Sequence, residues 1–89
     1  MSFSVRAYLA AQMGCSEDDL IWTAEPRTRT DGTWAATYAR RPSTSPAAHV
    51  VIGPPRQNLT GLRRRLVMTS WDKGNTSQTD IGPDDDIVW

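Results

Sequence analysis

The dipeptide Asp31-Gly32 limits the possible folds of this chain more than any other feature. An Asp-Gly pair suits the two central positions of a type I′ turn, whose twist matches that of the strands it joins. The flanking residues predict a strand near 22–30 and another near 33–41, closed as a hairpin. With a two-residue turn, Thr30 faces Thr33, Arg29 faces Trp34, Arg27 faces Ala36 and Glu25 faces Tyr38. One side of the ribbon then carries Glu25, Arg27, Arg29, Trp34, Tyr38 and Arg40. The other carries Trp22, Ala24, Thr28, Ala35, Thr37 and Ala39.

Elsewhere the pattern alternates between helix and loop. Residues 4–13 read as a helix capped by Ser2 or Ser4, with Val5, Leu9 and Met13 on one stripe and Gly14 as its stop. Ser16 followed by Glu17-Asp18-Asp19 suits the start of a short second helix, because acids favour the positive end of the helix dipole. Residues 42–46 form a loop, 47–52 a short apolar strand, and Gly53-Pro54-Pro55 stops it. Asn58 can cap a last helix to about Ser70, with Leu59, Leu62 and Leu66 inward and Arg64 and Arg65 outward. The expected fold is α+β, a small three-stranded antiparallel sheet in the order α-(α)-β-β-β-α. Helices at 4–13 and 58–70 pack it, and residues 72–89 form an acidic, partly irregular tail to a single domain spanning 1–89.

A chain of 89 residues builds a modest core, so most of its large apolar side chains are needed inside. Cys15 is the only cysteine, which excludes an intrachain disulfide framework. No apolar run reaches membrane-spanning length and no signal-peptide core is present, which predicts a cytoplasmic protein.

Charge is sorted along the chain. Between Arg27 and Arg65 lie eight arginines and a single acid, Asp31, whereas the flanking segments hold the other nine acids against Arg6 and Lys73. The formal net charge is zero. Catalysis lacks its usual parts: one histidine, one cysteine, no Gly-rich phosphate loop, and acid runs without calcium-loop spacing. His49 reads as a strand-surface or hydrogen-bonded side chain and Cys15 as an inert thiol. The expectation is therefore a non-enzyme with no cofactor and no metal.

Two classes of partner fit the charge layout. The first is a protein whose surface this chain occupies and blocks, as an inhibitor or regulator. Arg27, Arg29 and Arg40 would pair with its acids, Trp34 or Trp89 would anchor it, and Asp85 in the run Asp84-Asp85-Asp86 would precede the apolar Ile87-Val88-Trp89. Acids at both ends can also imitate the charge of DNA, as small phage or mobile-element inhibitors do, although no motif assigns the chain to such a family. Zero net charge favours this reading over the second, a nucleic acid.

For nucleic acid, Trp34 and Tyr38 would stack bases while Arg27, Arg29 and Arg40 hold the backbone and Arg63, Arg64 and Arg65 add phosphate contacts. The spacing from Leu9 through Gly14 to Leu20, with the hairpin after it, resembles a winged helix-turn-helix protein over about residues 5–41. That resemblance implies a recognition helix opening on Glu17-Asp18-Asp19, where carboxylates repel phosphate. The order α-β-β-β-α is similar to that of double-stranded RNA-binding domains, but Asn58-Leu59-Thr60-Gly61 stands where they have a lysine-rich helix start.

Overall fold

Period-two alternation governs far more of this chain than helical spacing does. The computed structural model describes residues 1–58, 61–71, 73–82 and 84–89. Its elements are β1 (Ser2–Ser4), α1 (Val5–Met13), a 3-10 turn at Glu17–Asp19, β2 (Leu20–Thr28), β3 (Trp34–Arg40), β4 (Pro46–Ile52), β5 (Arg56–Asn58), β6 (Gly61–Ser70), β7 (Asn75–Ile81) and β8 (Asp86–Val88). Strands β2 to β7 make a six-stranded antiparallel sheet, and β8 runs parallel to β1 in a separate pair. This replaces the expected three-stranded sheet between two helices, because among the described residues α1 is the one α-helix.

The largest correction falls on residues 58–70. Leucines at helical spacing suggested a helix, but Leu66, Met68 and Ser70 alternate inward while Val67 and Thr69 are half-buried on the other side. Two β-branched residues and flanking strands on both edges favour the extended form. Gly61 opens the strand at φ +110°, a conformation outside any right-handed helix. Leu59, which the helical stripe required, lies outside the described residues together with Thr60, Asp72 and Pro83. The acidic tail contains two strands, residues 75–81 and 86–88.

Strand order is β2-β3-β4-β6, with β7 on the far side of β6. Strands β4 and β5 lie in line along one edge of β6: Ile52 faces Leu66, and Arg56 faces Arg63. Between them Gly53 still donates its N–H to the Arg65 carbonyl at 2.9 Å. The prolines that follow have no N–H, so the ladder breaks there.

The hairpin forms at the predicted place with a different turn. Arg29 N–H bonds the Thr33 carbonyl at 2.8 Å and Gly32 N–H bonds the Arg29 carbonyl at 3.0 Å, giving a three-residue loop. Only Gly32, at φ +88°, takes the left-handed conformation; Asp31 does not, which excludes type I′. The pairing becomes Thr28 with Trp34 and Arg27 with Ala35. A one-residue slip turns a side chain to the opposite face of a sheet, so Arg27 no longer shares a face with Trp34 and Tyr38. Two further register shifts, between Trp22 and Ala24 and between Ala24 and Arg27, bring Trp22 opposite Tyr38.

The first helix is as its sequence predicts. Ser4 Oγ accepts from Ala7 N–H at 3.2 Å, and Gly14 at φ +69° closes the helix through the Ala10 carbonyl. The second helix shrinks to three residues, since Leu20 already begins β2. That leaves no recognition helix, and neither the winged-helix layout nor the α-β-β-β-α order is retained. Helix α1 buries Val5, Leu9 and Met13 against one face of the sheet, on Leu20, Tyr38, Val50, Ile52, Leu66, Met68 and Ile81. The β1–β8 pair closes this layer, placing Ile87 and Trp89 against the same core. We call this the inner face.

Candidate functional site

Among the described residues, the outer face of the sheet carries no helix. Cross-strand registers arrange its residues in rows. One row runs Arg27, Ala35, Val51, Val67 and Gln78 across five strands; the next runs Ala24, Thr37, His49, Thr69 and Thr76. Beyond the first row, toward the hairpin end, Arg65 faces Asp80 and Arg63 faces Arg56.

These last positions frame a cleft of about 360 Å³ lined by Gly53, Pro54, Arg56, Gln57, Arg63, Arg65 and Asp80. Arg56 and Arg63 stand directly opposite each other on β5 and β6. Like charges in that arrangement repel, at a cost within the roughly 0.2–1 kcal/mol scale of cross-strand pairs. Neither has an ion-pair partner among the described residues. Arg65 meets Asp80 at 3.4 Å, but both side chains are largely solvent-exposed, so the pair contributes little and leaves its donors available. Behind the cleft, a Cβ at Gly82 would lie 3.1 Å from Arg63 Nη1 and 3.2 Å from Asp85 Oδ2. The missing side chain gives the Arg63 guanidinium room across the end of β7.

A flat aromatic pair occupies the other end of this face. The His49 ring stacks on Trp71 with centroids 5.8 Å apart and planes 10° from parallel, and half of Trp71 remains exposed. Thr37 Oγ1 sits 3.0 Å from His49 Nδ1 and fixes the ring. Trp71 N–H bonds the Ala47 carbonyl at 2.8 Å, which holds the residue beside β4. His49 is thus a hydrogen-bonded strand-face side chain.

The residues singled out in the sequence are dispersed. Arg27 and Arg29 are exposed at the hairpin end, with Arg27 on the outer face. Tyr38 is fully buried on the inner face, where no group among the described residues completes a hydrogen bond to its hydroxyl. Burial raises its pKa above the ordinary 10.0, against smaller opposing effects of the Trp22 indole N–H, which approaches the hydroxyl without completing a hydrogen bond, and of the Arg6 charge. Trp34 is half-buried beside the core, its ring centroid 6.0 Å from that of Trp89. The Trp89 carbonyl accepts from Arg6 Nε at 2.9 Å. Trp34, Tyr38 and Trp89 are therefore packing residues of the inner layer.

Arg40 is half-buried opposite Leu20, far along β3 from the hairpin. Arg64 points inward and is spent on the fold, donating to the Gly53 and Gly32 carbonyls at 3.0 Å each. Asp85 accepts from Gly82 N–H at 3.3 Å. Of the residues proposed as partner-binding, Arg27 and Arg65 stand on the open face.

Arg63 is among the arginines expected from the sequence to contact phosphate, whereas Arg56, His49 and Trp71 carry no such signal. The signal for Arg63 beside Arg65 was alternation, which a helical reading of this segment hides. Nothing local in the sequence pairs His49 with Trp71, since residues 22 apart meet only through the β4–β6 register.

No group of three His, Cys, Asp or Glu side chains able to hold a metal occurs among the described residues. No helix among them is long and apolar enough to cross a membrane. Neither a protein-family model, nor a curated protein, nor a solved structure matches the chain.

Proposed function

We propose that this protein is a non-enzymatic binding module that takes single-stranded nucleic acid on the outer face of its sheet. The observation that carries the reading is the Arg56–Arg63 cross-strand pair, two cations unpaired among the described residues whose repulsion a polyanion would relieve, beside Arg65 and its exposed partner Asp80 in the same cleft. Arg56, Arg63 and Arg65 would hold phosphates, Arg27 would extend the track, and the exposed face of Trp71 would stack a base. At about 3.4 Å per residue, Arg65 and Thr69 next to His49 lie about 14 Å apart along β6, room for a short run of extended strand. An open, single-layer face with a flat aromatic favours unpaired bases over a duplex, whose bases are already stacked. The cytoplasm, where unpaired nucleic acid is accessible, is the proposed place of action.

An acidic protein surface is the alternative occupant of the same arginines, as in the blocking function expected from net charge. Tyr38 is buried and Trp34 and Trp89 are half-buried against the core, so less aromatic surface supports that occupant.

The test is the affinity for a fluorescent single-stranded oligonucleotide across about 50 to 200 mM salt. Three phosphate contacts predict a slope of about −2 in log affinity against log salt, given about −0.7 per contact for single strands. Arg63→Ala with Arg65→Ala should flatten that slope by more than half. Absence of binding at low salt, or binding that both substitutions leave unchanged, refutes the proposal.

A further inference from the structure

The two edges of the six-stranded sheet are built differently. On β2 the ladder shifts register twice within nine residues, and Pro26 interrupts the row of donors. Bulges and proline are the usual protection of an exposed edge against pairing with another chain. Strand β7 has no such protection. Its seven residues, Asn75 to Ile81, pair with β6 in unbroken register, contain no proline and hydrogen-bond to no other strand among the described residues. The free side of β7 is a straight, polar row of backbone donors and acceptors.

We infer that β7 pairs antiparallel with β7 of a second copy of this chain, about a twofold axis at Gln78. A twofold contact requires a self-complementary surface, and this register supplies one. Gln78 faces its own copy, Ser77 faces Thr79, Thr76 faces Asp80 and Asn75 faces Ile81. No charge meets a like charge: each Asp80 lies opposite a threonine and keeps Arg65 on its own β6. The pairing extends one antiparallel sheet across both copies and leaves the outer faces on the same side. With about 3.4 Å per residue and about 4.8 Å between strands, the two Arg65 positions lie about 20 Å apart on that shared surface. The inference rests on the edge alone and does not depend on what the arginines bind.

A seven-residue edge is a small interface, so the dimer belongs to the weak class. Sedimentation of the full chain from about 5 to about 500 µM should show the apparent mass rising toward two chains. Because Gln78 opposes itself, Gln78→Lys and Gln78→Glu should each stay monomeric at the highest concentration, while an equimolar mixture of the two regains the dimer. Circular dichroism checks that both variants keep the wild-type sheet. A wild-type chain that remains monomeric throughout, or single variants that dimerise as readily as the wild type, overturns the inference. Loss of nucleic-acid binding with the dimer intact would reject the proposed function and leave this one standing.

Discussion

Single residues show where sequence rules meet this particular fold. Tyr38 has a long apolar body suited to the core and a hydroxyl for which the described residues supply no bond. A buried hydroxyl in that position costs about 1–3 kcal/mol. Tyr38→Phe should therefore stabilise the protein by about 1 kcal/mol, read as a rise of about 5 °C in the midpoint of thermal unfolding. Unchanged or lower stability would show that the hydroxyl is satisfied. Asp31 shows the opposite arrangement. The Thr33 N–H bond at 2.9 Å, more than the nearby Arg29 charge, holds its carboxyl below the ordinary 3.8. A depressed folded-state pKa gives stability that is present above the ordinary value and lost as pH falls through the folded one. Asp31→Asn removes that titration, so the difference in hairpin stability between wild type and variant should shrink in acid. Amide exchange of Arg29 and Gly32 followed through that range reads it directly.

At the scale of elements, helix α1 was legible because its cap, stripe and stop are local: Ser4, then Val5, Leu9 and Met13, then Gly14. The hairpin's position was legible for the same reason. Its register was not, because one loop residue decides it and the Asp-Gly pair also suits a loop ending on a left-handed glycine. Gly32→Ala should destabilise the hairpin by about 1 kcal/mol, since an L side chain at φ +88° is strained even though its Cβ would make only ordinary contact with Pro54 at 3.5 Å. Strand β6 was misread because its leucines satisfy a helical spacing by coincidence, and only tertiary neighbours arbitrate such short apolar runs. That error set Arg64 outward beside Arg65, whereas alternation puts Arg63 and Arg65 on one face and Arg64 on the other. The apolar end of the acidic tail suits a closing strand, but its partner is not legible because β1 lies at the other end of the sequence. Removing residues 87–89 strips Ile87 and Trp89 from the core and should cause a large loss of thermal stability. A truncated chain as stable as the full one would contradict the packing described.

For the molecule as a whole, zero net charge concealed a division between faces. The inner face spends Trp34, Tyr38, Trp89 and Arg64 on the fold, while the outer face keeps Arg56, Arg63, Arg65 and Trp71 accessible. Trp71→Ala should weaken oligonucleotide binding by about 1–3 kcal/mol through lost stacking, without flattening the salt slope that the arginines set. The most direct measurement is amide and side-chain NMR of the labelled protein titrated with a single-stranded oligonucleotide at low salt. The account predicts shifts confined to Arg27, His49, Arg56, Arg63, Arg65 and the Trp71 indole, with α1 and the Trp34–Trp89 pair undisturbed. Shifts centred on α1, β1 and β8, or none at saturating oligonucleotide, would contradict it.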